Sequence, residues 1–438
     1  MSSSGFALRQ KLRGLKQHWI ARKASWLFFG QGVNFFLQAA YFILLARLLG
    51  VTEYGIFAGA FSLVNIVAPY TKLGSNMIYM RYVTADRSKA AIYWGNALLI
   101  TAGISILIAV VFFFLGPAIT HVNSRMIFLI LVLGNCLFTQ VAALASTVFQ
   151  TADKMRLTAT LSFLSNLARL IILVAMEVTM RHATAFQWSI AVLVASTAAC
   201  ILAMIWVRSE VGPLAFSFDL IRRHLAEGLG FSFAGTTQSL YNDVDKTMLS
   251  HYGMVMQNGF YTLAYRIVDF ATSPIAALDG AALPRYFRLS HESMTAVIRL
   301  AAKSAMTAVL LGLAIAAGLR VTAPWVPRLV GRDFSGVVIA LRWLCWIPLL
   351  RGIHFLTGSA LTGSGYQNRR TGAQFAVAVL NFLLNLWWIP HYGWIGAAWS
   401  SVASDGTLAA INVLLLYWIW KRIPSEDLAA KTIGLEPK

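Results

Sequence analysis

The stretch Leu45 to Ile66, LARLLGVTEYGIFAGAFSLVNI, reads as the end of one apolar helix, a glycine turn and the start of a second. Much later in the chain, Leu249 to Phe270, LSHYGMVMQNGFYTLAYRIVDF, repeats the arrangement. With Gly55 and Gly259 as origins, Asn65 matches Asp269 at plus ten and Pro69 falls one position from Pro274. The preceding spans end in Leu49-Gly50 and Tyr252-Gly253. A unit that re-enters an apolar helix after the same turn predicts two equivalent halves.

Composition sets the medium for both halves. Of 438 residues, 58% are hydrophobic and 12% charged, with a mean hydropathy of +0.66, whereas soluble chains carry roughly 25% charged residues. Runs of about 20 apolar residues, enough to cross a bilayer core, occur twelve times, in two sets of six. Spans 1 to 6 cover 25–48, 54–74, 93–115, 126–150, 157–176 and 187–207. Spans 7 to 12 cover 229–250, 258–283, 304–321, 336–360, 372–390 and 394–420. The sequence therefore predicts an all-α integral membrane protein. Its twelve transmembrane helices should form two six-helix bundles related by a pseudo-twofold axis normal to the membrane, with a site between them.

The expected organisation is a basic leader over 1–24, an N-terminal lobe over 25–207, a linker over 208–228, a C-terminal lobe over 229–420 and a tail over 421–438. The leader reads either as an interfacial helix with Leu8, Leu12, Leu15 and Trp19 on one face, or as a disordered basic segment. It lacks the small-residue cleavage site of a signal peptide. Of 36 Lys and Arg, 24 fall on the side of the N-terminus, and only Arg125, Arg181, Arg328 and Arg332 lie in the opposite connections. That asymmetry predicts cytoplasmic termini. It also accounts for the net charge of +19 without invoking nucleic acid as a partner.

Several function classes are disfavoured. The longest outward connection, 322–335, has no room for an ordered catalytic domain, and the first is merely Leu49 to Glu53. The sequence contains no glycine-rich phosphate loop, HExxH pair or CxxC pair, so no catalytic residue, cofactor or metal is expected. Cys136, Cys200 and Cys345 all lie within apolar runs. Driving energy must come from ion gradients, the membrane potential or the substrate's own gradient.

Polar residues within a span are costly unless they face protein or water. Gln31, Asn34, Gln38 and Tyr41 share one face of span 1, and Ser62, Asn65, Pro69 and Lys72 one face of span 2. Gln238, Asn242, Asp245 and Lys246 form an arc on span 7, and Thr262, Arg266, Asp269 and Ser273 a line on span 8. These spans are the equivalent pairs of the repeat, so the stripes suit a pathway at the repeat interface; each could also serve as helix-to-helix glue.

Charges within spans are sharper signals. Arg266 and Asp269 are spaced to neutralise each other, as are Asp243 and Lys246, which leaves Asp245 less obviously paired. Arg169 has Ser162, Ser165 and Asn166 on its own face, and Arg351 has His354 one turn away and no local carboxylate. Arg47 is expected to pair with Glu53 across the short turn. The cations Lys72, Arg169, Lys246, Arg266 and Arg351 would suit an anionic ligand such as a diphosphate, because guanidinium forks bind phosphate oxygens bidentately. The alternatives are structural ion pairs for each and snorkelling for Lys72.

The motifs Leu45-Ala46-Arg47-Leu48-Leu49-Gly50, Glu53-Tyr54-Gly55, Leu73-Gly74 and Arg81-Tyr82 resemble the N-terminal signature of bacterial polysaccharide repeat-unit flippases. Those proteins form part of the multidrug, oligosaccharidyl-lipid and polysaccharide exporter superfamily. Asp245 ahead of Met248-Leu249, Asn258-Gly259-Phe260-Tyr261 and Ala282-Leu283-Pro284 look like its span 7 and 8 pattern. The run Asn381 to Ile389 followed by Pro390-His391-Tyr392-Gly393-Trp394-Ile395-Gly396-Ala397-Ala398 is similar to its turn between spans 11 and 12. The peptidoglycan-precursor branch usually has fourteen spans, and cation positions differ widely among flippases.

The resemblance implies a flippase that moves an undecaprenyl-diphosphate-linked oligosaccharide from the inner to the outer leaflet of the bacterial inner membrane. It would serve O-antigen, capsule or exopolysaccharide assembly by alternating access, among membrane lipids and alongside polymerase and chain-length machinery. In that picture Arg266, Lys246, Arg169, Arg351 and Lys72, with Asn34, Gln38, Asn65 and Asn242, line the lumen, and Asp245 and Asp269 are candidate ion-coupling carboxylates. The alternative is a drug or metabolite antiporter of the same superfamily, with those two aspartates binding a cation or exchanging a proton. The spans hold eight basic residues against five acidic ones, Asp243, Asp245, Asp269, Asp279 and Asp405, which disfavours a cation exporter. A membrane glycosyltransferase or polymerase ranks lower still.

Overall fold

A computed structural model describes residue 38 and residues 40–422, apart from the side chains of 233–239. The expected leader, Gln31, Asn34, the tail beyond Arg422 and the side chain of Gln238 lie outside the described residues.

The chain folds as an all-α membrane protein, and no strand occurs among the described residues. Eight described helices are long and apolar enough to cross a membrane, or nine with the bent pair Arg332–Leu344 and Ile347–Gly363, span 10, taken as one. These include spans 3 (Arg87–Thr120), 4 (Arg125–Thr151), 5 (Met155–Thr179), 6 (Ala185–Val211), 9 (Met294–Val330), 11 (Gln367–Tyr392) and 12 (Trp394–Lys421). Spans 7 (Phe218–His251) and 8 (Val255–Ser290) are long enough at 34 and 36 residues, but charges interrupt their apolar character. The remaining segment, Ala40–Ala85, holds two spans. Gly50 takes φ 68, where a Cβ would be strained, and the chain doubles back there. Gln38 and Asn65 consequently line one cavity. The result is twelve spans in two six-helix lobes.

Span 2 is itself broken. Pro69 begins a 3-10 turn over Ala68–Lys72, Leu73 and Gly74 adopt left-handed conformations, and the helix resumes at Ser75. Span 4 carries a π-helical turn, Val132–Phe138, that opens its ladder near mid-span. From this turn Asn135 reaches Asn65 at 3.4 Å.

Two sequence expectations change here. Glu53 does not pair with Arg47: it accepts the backbone N–H of Ala185 at 2.7 Å, at the start of span 6. A helix N-terminus offers unpaired N–H groups and positive potential, so a carboxylate is better placed there than beside an exposed arginine. Only 212–217 of the expected linker is non-helical, because 218–228 form the first turns of span 7. The side-chain amide of Asn96 clamps that connection, accepting from the Ser217 N–H at 2.9 Å and donating to its carbonyl at 3.1 Å.

One buried apolar cluster crosses the lobe boundary, joining Leu45, Phe57 and Val64 to Leu249, Tyr261 and Val268. Two others lie each within one lobe, around Phe149 and around Tyr286. At the end near Gly50 the lobes meet through Asn258, which donates to the Gly55 carbonyl at 3.2 Å, and Ser250, which donates to that of Thr120 at 2.9 Å. At the opposite end Glu227 of span 7 accepts from Arg81 at 2.7 Å and from Tyr82 at 3.1 Å. Midway, Asn65 donates to Asp243 at 2.5 Å.

Candidate functional site

A cavity of about 310 Å³ opens where spans 1, 2, 5 and 6 of the N-terminal lobe face span 8 of the C-terminal lobe. Its aromatic wall is Tyr41, Phe42, Tyr54, Phe57 and Phe61, and its polar groups are Gln38, Ser62, Asn65, Asn166, Arg169, Thr262 and Arg266. Gln38, Asn65, Arg169 and Arg266 of the expected site thus come together, although four different helices carry them.

The two guanidiniums are the charged part of this surface. Arg266 lies 5.7 Å from the Phe42 ring centroid. Its sequence neighbour Asp269 turns instead to Arg351, at 2.6 Å. The Nε of Arg169 is buried and has no hydrogen-bond partner among the described residues. Neither arginine has a carboxylate within ion-pair distance among the described residues. A buried unsatisfied donor is costly unless a ligand completes it. The arrangement can grip a dianionic group with two forks and hydrogen-bond hydroxyls through amides, with aromatic rings alongside.

The other expected cations lie elsewhere. Lys246 is buried within the C-terminal lobe, bonded to the Asn242 carbonyl, 3.2 Å from Asp245 and 3.8 Å from Asp243, with its ammonium 4.2 Å from the Tyr265 ring centroid. Asp245 also accepts from Tyr261 at 2.5 Å. Arg351, which has no carboxylate nearby in sequence, meets Asp269 at 2.6 Å and Asp405 at 3.5 Å and is therefore a paired cation. Lys72 ends the 3-10 turn of span 2 and is not among the cavity's lining residues. Asn34 lies outside the described residues.

These contacts form one polar network in the C-terminal lobe. Asp243, Asp245, Asp269 and Asp405 meet Lys246 and Arg351 at ion-pair distance, and Arg266 acts on Asp243 and Asp269 from farther away, with His354 3.2 Å from Asp405 and Tyr241 donating to it at 2.5 Å. Carboxylates outnumber the permanent cations, and Asp405 is fully buried. Among the described residues no group of three or more His, Cys, Asp or Glu is placed to hold a metal ion. Apart from Tyr41, the aromatic wall was missed by the sequence reading. Its signal was available, since Tyr54, Phe57, Ala58 and Phe61 share the helical face of Ser62 and Asn65.

Two helical lobes enclosing a polar cavity at their boundary give the chain the fold of solved multidrug transporters and of a lipid flippase. Residues 20–290 match the sequence model of the family described as polysaccharide biosynthesis protein, and the chain belongs to that family. Solved structures agree on the fold. An inward-facing multidrug resistance MATE family transporter of the MOP superfamily matches at 14% identity and TM-score 0.74, covering 89% of this chain and 95% of that one. The lipid II flippase MurJ in an inward closed conformation matches at 14% identity and TM-score 0.73, covering 94% and 93%. The MATE multidrug transporter DinF-BH matches at 17% identity and TM-score 0.62, covering 89% and 92%. No curated protein matches the chain at the level required of a relative.

Proposed function

We propose that this protein flips an undecaprenyl-diphosphate-linked oligosaccharide from the inner to the outer leaflet of the bacterial inner membrane, for assembly of O-antigen, capsule or exopolysaccharide. The observation that carries this reading is the pair Arg169 and Arg266, which face one cavity at the lobe boundary with no carboxylate at ion-pair distance among the described residues. Two guanidiniums without a direct ion pair suit a diphosphate better than a cationic drug. Membership of a polysaccharide biosynthesis family supports the same substrate class.

In this reading the diphosphate docks on Arg169 and Arg266, the first sugar meets Gln38, Asn65 and Asn166, and the lipid tail stays in the bilayer. Asn34, Asn242 and Lys72 join the path in other positions of the lobes. The lobes rock about their boundary, closing the Gly50 end while the other opens and then the reverse. Both termini and the basic end face the cytoplasm, where the substrate is loaded. Asp245 and Asp269, with Asp405, supply the ion coupling, because a buried excess of carboxylate is relieved by taking up a proton or a cation. Polymerase and chain-length machinery would receive the product.

The test is translocation of a fluorescent undecaprenyl-diphosphate oligosaccharide in liposomes, with and without an imposed membrane potential. Wild-type flipping that is lost in folded Arg169→Ala/Arg266→Ala supports the proposal. Export of a cationic dye without flipping of any glycan would replace it with the antiporter reading.

A further inference from the structure

At the basic end of the C-terminal lobe the start of span 11 and the end of span 12 meet around one indole. The Arg422 guanidinium stands 3.6 Å from the Trp418 ring centroid and that of Arg369 stands 4.5 Å from the same ring. Arg369 also lies 5.2 Å from the Tyr366 ring, and Lys421 lies 5.4 Å from that of Tyr417. Arg369, Lys421 and Arg422 are exposed.

Their pairing differs from that of four cations at this end. Arg81, Lys89, Lys154 and Arg223 each have a carboxylate within 3.0 Å, from Glu227, Asp86, Glu210 and Asp219. Arg369, Lys421 and Arg422 have none at ion-pair distance among the described residues. Two like charges sharing one ring repel each other, and an anion between them would relieve that repulsion.

The surface beside them is apolar. Val413, Leu414, Tyr417 and Trp420 follow helical spacing along span 12 and are 45%, 63%, 48% and 48% exposed, in the direction of the bilayer interior. A free phosphate would have no use for that stripe, whereas the acyl chains of a lipid would lie along it.

The geometry points to a binding site for an anionic phospholipid, with its phosphate on Arg369 and Arg422 and its chains along the outer face of span 12. The site stands apart from the lobe-boundary cavity and does not depend on what that cavity carries. Occupied, it pins the ends of spans 11 and 12 together at the membrane surface.

The experiment uses the full chain, delipidated in detergent and titrated with phosphatidylglycerol or phosphatidylcholine, with bound lipid counted by native mass spectrometry and the thermal midpoint followed in parallel. Wild type should retain phosphatidylglycerol in preference to phosphatidylcholine, and Arg369→Gln/Arg422→Gln should weaken that retention roughly tenfold or more. Arg81→Gln, which removes a paired cation at the same end, should leave it unchanged. Trp418→Leu, which keeps both charges and loses the ring, should fall between. Equal retention by wild type and the double variant, with both folded by thermal midpoint in phosphatidylcholine, would overturn the site. Displacement of the lipid by inorganic pyrophosphate at comparable concentration would overturn the lipid assignment in favour of a soluble phosphate. If the double variant does not fold, Trp418→Leu and the charge-conserving Arg369→Lys/Arg422→Lys decide the same question, since the second should keep most of the preference.

Discussion

Gly55 and Gly259 pack reciprocally: a Cβ on Gly55 would stand 2.0 Å from the Val255 carbonyl oxygen, and one on Gly259 would stand 2.1 Å from that of Val51. Each glycine meets the residue four positions before the other. That is the signature of a twofold relation between spans 2 and 8, and it brings backbone against backbone with no side chain between. Gly55→Ala and Gly259→Ala should each force the lobes apart at this end, at a cost of about 1–3 kcal/mol for overpacking. Spin labels across spans 2 and 8 should report a widened distance in both variants. A large effect in one and none in the other would argue against equivalence.

Removing the cavity arginines should separate function from folding. Arg169→Ala and Arg266→Ala delete cations that carry no carboxylate partner at ion-pair distance among the described residues, so flipping should be lost while the thermal midpoint holds or rises.

Arg351→Ala should behave differently. It strips the cation from Asp269 and the buried Asp405, and an uncompensated buried charge costs about 3–5 kcal/mol. Thermal unfolding of the three purified variants distinguishes the roles. A stable but inactive Arg351→Ala would move that residue into the substrate site.

Glu227 holds Arg81 and Tyr82 across the lobe boundary at the basic end. The Arg81 side chain is 64% exposed, so the pair contributes little to stability, less than about 1 kcal/mol. Glu227→Gln should therefore leave the thermal midpoint nearly unchanged yet shift labels on spans 2 and 7 toward longer distances. An unchanged distance distribution would show that the close backbone approach at Gly74 and Gly228 holds this end by itself.

If the carboxylate excess of the C-terminal lobe couples transport to protons, Asp405→Asn should flatten the pH dependence of flipping more than it lowers the maximal rate. The comparison is the flipping rate across a pH series in liposomes. A parallel drop at every pH would assign Asp405 a purely structural role beside Tyr241 and His354.

Much of the site was legible in the helical phase of spans 1, 2 and 8, since Gln38, Asn65 and Arg266 recur at spacings that point one way once a helix forms. Asn65 and Asp269, matched by the repeat, nevertheless do different work: one lines the cavity and reaches Asp243, and the other holds Arg351. Lys246 and Arg351 looked as available as Arg169 and Arg266 because each reads as a lone cation in an apolar run. The aromatic wall was hidden for a related reason, since phenylalanine in a membrane helix faces lipid as readily as a cavity.

The sequence by itself determined the number of spans, the turn at Gly50 and the duplication around Gly55 and Gly259. Those depend on hydropathy over one helix length and on the backbone freedom of single residues, both of which are local. Only the tertiary structure decided which cations stand in ion pairs. The carboxylate that neutralises Arg351 lies 82 residues away on another helix, and the capping of span 6 by Glu53 crosses 132 residues. Ion pairing is decided over a few ångströms of space, so a residue's charge is readable in sequence while its partner is not.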